Sequence, residues 1–147
     1  MTESEVSWTT RSLADALIRL DQGKGFSINH IEDTDVLEVS VATAGDFVLH
    51  VAVGAAQILT SAILWPRDAQ DDPEAFESMM LRNHKALLPL CALSIDKVDG
   101  REFYELFGAV SRNASLDEIV EEFSVIAESA LELASDIGPR TGKESAA

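Results

Sequence analysis

Residues Asn83 to Phe123 read NHKALLPLCALSIDKVDGREFYELFGAVSRNASLDEIVEEF. In this stretch a helix end, a tight hairpin and a capped helix follow one another with almost no spacer. Pro89 cannot continue a helix, because its ring clashes with the preceding turn and it has no N–H to donate. Asp99-Gly100, between two strand-like runs, supplies the two φ > 0 residues of a type I′ turn. Ser115-Leu116-Asp117-Glu118 has the spacing of a capping box, in which the first and fourth residues satisfy each other's backbone N–H groups.

Working upstream, Asp72-Pro73 places an N-cap directly before a proline at the first helical position, and Phe76, Met79, Met80, Leu87 and Leu88 give this helix an apolar side up to Pro89. Before it lie four strand-like runs. Phe26, Ile28 and His30 alternate with polar residues, as do Leu37, Val39 and Val41; Asp33-Thr34-Asp35 turns the chain between them. Ala44-Gly45-Asp46 leads into Phe47 to Val53, and Ile58 to Trp65 runs up to Pro66. A first helix starts near Thr9 with Leu13, Leu17 and Leu20 as its stripe, and Gly23 and Gly25 end it.

Downstream, Ile119, Phe123, Ile126 and Ala130 form one row of the last helix, with Val120, Ala127, Leu131 and Ala134 beside it. Gly138-Pro139 stops that helix, and residues 138–147 are small and polar, which implies a disordered tail. The result is a single α+β domain over residues 1–137, with an antiparallel sheet of five or six strands and three helices in the order α-β-β-β-β-α-β-β-α. Helices on one face of the sheet leave the apolar Val48 and Ala52 on the other, where a homodimer through the sheet or an edge strand would cover them.

The chain's 147 residues are 46% hydrophobic and carry a net charge of −15 from 11 Lys+Arg against 26 Asp+Glu. Such a bias repels nucleic acid and anionic membrane surfaces. Apolar stretches are interrupted by Asp46, His50, Gln57 and Thr60, short of a membrane span, and Glu3 and Glu5 stand where a signal peptide is basic. One cysteine, Cys91, forms no internal disulfide. These features imply a soluble, cytoplasmic protein. The acidic residues of the last helix beyond its first turn, Glu121, Glu122, Glu128, Glu132 and Asp136, read as a solvated face.

Candidate chemistry is sparse. His30 and His50 fall on neighbouring strands without any HxH, HExxH or CxxC spacing. His84 beside Lys85 suits the last turn of a helix, where a cation is favoured. Cys91 has no base near it in sequence, and Asp96, Asp99, Glu102 and Glu105 suit a solvated turn. Asn113-Ala114-Ser115 matches a glycosylation sequon whose serine already serves as a cap, and the scattered glycines build no phosphate loop. No catalytic residue, metal ligand or cofactor is assigned. Phe103, Tyr104 and Phe107 put aromatics on both faces of one strand; Tyr104 lies either at a partner surface or buried with a bonded hydroxyl. Phe103, Tyr104, Phe107, Val48 and Ala52 are therefore the candidate partner-binding residues.

The run Met80-Leu81-Arg82-Asn83-His84-Lys85-Ala86-Leu87-Leu88-Pro89-Leu90, then Asp99 to Ala109, then Ser115-Leu116 and Ile119-Val120-Glu121-Glu122, resembles the YjfI-type bacterial family of unknown function. That resemblance brings no activity or catalytic residues, and implies a possible PspA-like membrane-stress partner through gene neighbourhood. The element order also resembles the type III secretion chaperone-like fold, a module that dimerises and binds extended client segments. The reading that follows is a non-enzymatic, homodimeric, chaperone-like adaptor. Its alternative is a small-molecule or enzymatic site assembled from distant residues, with His30, His50 and Cys91 as its groups.

Overall fold

A computed structural model describes residues 7–20 and 25–139. Six strands form one antiparallel sheet in the order β1-β2-β3-β4-β6-β5. They are β1 (Phe26–His30), β2 (Val36–Val41), β3 (Phe47–Val53), β4 (Gln57–Pro66), β5 (Ala92–Val98) and β6 (Arg101–Ser111). Four helices accompany them: α1 (Thr10–Leu20), α2 (Pro73–Arg82), α3 (His84–Leu87) and α4 (Leu116–Ile137). The expected α+β domain is the one found.

Local chemistry sets most boundaries. Thr9 and Ser12 cap α1 reciprocally, with each backbone N–H donating to the other's hydroxyl at 2.9 and 3.0 Å. Gly25 adopts φ +86°, whereas Gly23 lies outside the described residues. Asp99 and Gly100 both take positive φ, 51° and 83°, as the hairpin between β5 and β6 requires. Asp72 accepts from the Ala75 N–H at 3.2 Å as the N-cap of α2. The Ser115–Glu118 capping box is complete, with Glu118 N–H to Ser115 Oγ at 3.1 Å and Ser115 N–H to Glu118 Oε1 at 3.0 Å. Of the tail expected over residues 138–147, residues 140–147 lie outside the described ones.

The helix expected from Pro73 to Pro89 is split in two, which raises the helix count from three to four. Asn83 is the reason. Its side-chain amide and its backbone N–H both donate to the Met79 carbonyl, at 2.9 and 3.1 Å, and its own backbone leaves the helical region at φ −114°, ψ 14°. An Asn that bonds its local backbone in this way competes with helix propagation. Asn83 then offers its carbonyl to Ala86 and Leu87, so one further turn forms before Pro89.

The helices pack on one face of the sheet. Leu13 and Leu17 of α1, Phe76 and Met80 of α2, and Ile119, Phe123 and Ile126 of α4 are buried against Leu37, Val39, Leu49, Val51, Ile58 and Leu106. Between Ile63 and Pro66 the β4–β6 register slips by one residue. That bulge reverses the alternation of β4 and brings Trp65 to the helix side, where it packs with Phe76 and Tyr104 at ring separations of 6.1 and 6.2 Å. Trp65 Nε1 donates to Gln70 Oε1 at 2.8 Å, so its polar edge is satisfied as it is buried.

Replacing Ser115 by Ala removes one side of the capping box that starts the longest helix. Unfolding free energy from urea titration falls by about 1 kcal/mol with an unchanged m-value.

Candidate interaction surface

Strand alternation and register together define the sheet face away from the helices. Leu49, Val51 and Val53 of β3 point into the core, so Val48, His50 and Ala52 point the other way. Register carries this face across the sheet: His50 stands opposite Ser61, which stands opposite Phe107, and Ala52 opposite Leu59, which stands opposite Ala109. Ile63 pairs with Glu105, and Glu105 with Ser94, in the next row. Val48 is 41% exposed and Ala52, Leu59, Ile63, Phe103 and Phe107 are half-buried, although no described helix packs over them.

Four of the five candidate residues, Val48, Ala52, Phe103 and Phe107, share this open face. Tyr104 does not. It is fully buried on the helix side, its ring 4.9 Å from that of Phe76 and its hydroxyl donating to Glu77 Oε2 at 2.7 Å. Arg67 also grips Glu77, through Nε and through Nη2 at 3.3 Å. The guanidinium holds the Glu77 carboxyl below the usual carboxylate range, while burial first and the hydrogen bond to Glu77 second push the tyrosine hydroxyl well up. Glu77 thus serves the interior as an ion-pair and hydrogen-bond partner.

His30, His50 and Cys91 do not converge. His30 shares the parity of Phe26 and Ile28 and lies on the helix side, bonded to the Thr34 carbonyl at 2.8 Å. His50 lies on the open face, 3.6 Å from Glu38. Cys91 follows α3, and burial raises its thiol above the ordinary value, which makes it a poor nucleophile. Among the described residues no group of three or more His, Cys, Asp or Glu is placed to hold a metal ion. A polar cleft of about 590 Å³ holds Arg67 and Arg101, but both are engaged in ion pairs, with Glu77 and with Asp68.

Sequence reasoning missed a second apolar region on the helix side of β5, where Leu81 of α2 and Ile95 stand exposed, with Leu87 and Leu90 exposed in the segment that leads into β5. Leu81 is 74% exposed and, with Leu93, Ile95, Glu77 and Tyr104, lines a groove of about 220 Å³. A signal existed, because Leu81 falls outside the Phe76–Met80 stripe of α2. β5 is an edge strand, and side chains shield it: His84 Nε2 accepts the Leu93 N–H at 3.1 Å and Asp96 Oδ1 accepts the Lys97 N–H at 3.0 Å. His84, expected to cap a helix end, thus sits at the start of α3 and bonds the edge of β5 through Nε2.

Glu122 overturns the expectation of a solvated acidic face at its position. It is 5% exposed, flanked along α4 by the buried Ile119, Phe123 and Ile126. Its Oε1 and the Thr60 hydroxyl on β4 are buried without a hydrogen-bond partner. Thr60 stands close enough to favour the charged carboxylate, yet burial prevails and pushes Glu122 up to about 7. Gly108 of β6 makes room for it: a Cβ there would collide with the carboxyl, whose Cδ stands 3.0 Å from that point. On the open face Glu105 is also raised, by burial and then by Asp96, against the opposing pull of Ser94 and His50.

The raised Glu122 has a worked consequence. Between the ordinary carboxylate range and about pH 7 the unfolded chain releases this proton and the folded chain keeps it, so stability falls as pH rises through that window and levels above it. Thermal melts from pH 4.5 to pH 8, at about unit spacing, show this decline in the wild type, and Glu122→Gln flattens it.

No described helix is long and apolar enough to cross a membrane. The chain is 27% identical over 129 residues to the uncharacterized protein YjfI of Escherichia coli strain K12, with 88% of this chain and 94% of that protein covered. YjfI of Escherichia coli O157:H7 matches equally. Among solved structures, YbjN from E. coli superposes with a TM-score of 0.62 at 15% identity, covering 89% of this chain and 94% of that one. A chain of the ExsC–ExsE complex superposes with a TM-score of 0.52 at 12% identity, covering 87% and 92%. At these identities the likeness is one of fold, and it matches the type III secretion chaperone-like architecture expected from the element order. With residues 7–139 matched by its family model, this chain belongs to DUF2170, the family of uncharacterized proteins conserved in bacteria.

Proposed function

We propose that this protein is a non-enzymatic adaptor of the bacterial cytoplasm, acting as a homodimer and holding a protein partner against its open sheet face. The observation that carries this reading is the one-sided sheet. Helices cover one face, while Val48, Ala52, Leu59, Ile63, Phe103 and Phe107 line the other with apolar surface that water solvates poorly. An apolar patch rimmed by polar residues, here Glu38, His50 and Glu105, is the usual make-up of a protein-binding site. The dispersed histidines and the raised cysteine thiol favour recognition over bond-making. ExsC, which shares the fold, was solved together with ExsE, and a binding role of that kind suits the present surface.

The partner chemistry follows from charge. At −15 this chain attracts basic protein segments and repels nucleic acid. A PspA-like membrane-stress protein is the named partner to look for in the first instance.

Affinity capture of the tagged full chain from its native host, with mass spectrometry and an untagged control, recovers a reproducible partner. Phe107→Asp and Val48→Asp each reduce that recovery by about tenfold or more, while Leu131→Asp on the exposed side of α4 leaves it intact. Light scattering of the purified chain gives the dimer mass. Capture that is equal in all three variants sinks the open-face reading.

A further inference from the structure

We propose that Glu122 is a proton-operated latch: its neutral carboxyl seats the Leu88–Cys91 segment over Gly108, and its ionised form releases that segment and the entrance of β5. The geometry is a convergence of acceptors. The Glu122 carboxyl and the Leu90 carbonyl oxygen both crowd the point where a side chain at position 108 would begin, the latter at 3.1 Å. A carboxylate and a carbonyl both lack a proton to share, whereas a neutral carboxyl donates one. The buried Thr60 hydroxyl works the other way, favouring the charged carboxylate, so the Leu90 carbonyl is the acceptor that the neutral form serves.

The segment is built to move. Leu90 holds φ +61°, a left-handed conformation strained for a leucine, and its side chain is 62% exposed. Its release uncovers Leu88 and the partly buried Cys91, whose thiol is bonded to Ser129 of α4. The groups facing Glu122 are few among the described residues: β4 offers Thr60, β6 the Gly108 backbone, and the segment itself Cys91, whose thiol responds to the Glu122 charge. Among the described residues no cation acts on the carboxyl, and burial already favours the neutral form near neutral pH. Release would reposition Leu90 and the start of β5, hence the second apolar region. This inference stands apart from the adaptor reading.

The test is hydrogen exchange by mass spectrometry on the full chain, following amides 90–95 at about pH 6 and about pH 8.5 with intrinsic rates corrected. In the wild type, protection drops about tenfold or more at the higher pH, and in Glu122→Gln it stays high at both. Protonation of His84 would itself free the Leu93 N–H, so the comparison is between variants at each pH. Cys91 alkylation at pH 8 gives a second readout: an open latch makes the wild type react faster than Glu122→Gln. Mere loss of the carboxylate charge would instead make Glu122→Gln the faster of the two, because that charge raises the thiol. Thr60→Val, which removes the hydroxyl that favours the charged carboxylate without changing shape, moves the exchange midpoint to higher pH. Equal protection in wild type and Glu122→Gln, or a midpoint unmoved by Thr60→Val, overturns the latch.

Discussion

The pairing of β4 with β6 is the constraint on which the rest of the structure depends. It joins two halves that are otherwise local: the β1-β2-β3-β4 meander on one side and the β5–β6 hairpin on the other. Ile58 meets Val110 and Ala62 meets Leu106 across some fifty residues of chain, after α2 and α3 have intervened. Closing so long a loop is entropically costly, and the return is a continuous core face on which α4 lies. Arg112 fastens the same junction from outside, donating to the Trp8 carbonyl at 2.8 Å and to the Ala55 carbonyl at 3.1 Å. Trp8 answers by donating to the Ala114 carbonyl at 2.8 Å. Trp8, just before α1, is thereby tied to the turn between β3 and β4 and to the approach to α4.

The bulge in that pairing decides where the aromatic cluster goes. Without the extra residue between Ile63 and Pro66, Trp65 would share the parity of Ile63 and stand on the open face. With it, Trp65, Phe76 and Tyr104 form one cluster under α2, and Tyr104 presents its hydroxyl to Glu77. The same slip leaves Phe103 opposite Pro66 on the open face. A single inserted residue therefore sorts aromatics between the core and the surface available to a partner.

Much of this was legible in the residues. Asp99-Gly100, Ser115-x-x-Glu118 and Asp72-Pro73 name turns and caps through local sterics and hydrogen bonding, and local rules need no tertiary information. The alternation in β2 and β3 told the two faces apart, which placed Val48 and Ala52 together. What sequence left open depends on contacts between distant elements. Tyr104 sits between Phe103 and Glu105 in a strand with apolar residues on both faces, so its direction follows from pairing with β4. Glu122 looks like any other acid of an acidic helix, and its burial becomes visible only when Gly108 is found beneath it. Asn83 was the exception among local signals: its competition with the helix backbone is a local effect, hidden by the apolar positions on either side.

The distribution of protection along the sheet adds a physical distinction between its surfaces. β5, at one edge, has two of its backbone N–H groups occupied by the side chains of His84 and Asp96. An edge treated in this way resists indiscriminate strand pairing, which is how natural sheets avoid aggregation. On the open face, by contrast, apolar residues stand in rows with polar ones among them, including Glu38, His50, Ser61 and Glu105. Side-chain recognition across that face is thus less obstructed than strand addition at β5. The burial of Glu105 beside Asp96 points the same way, because covering that face deepens its desolvation and strengthens its preference for a proton or a cationic partner. A basic group brought by a partner would meet Glu105, Glu38 and His50 together on a surface that is otherwise apolar, and charge would then select among partners that apolar contact alone does not distinguish.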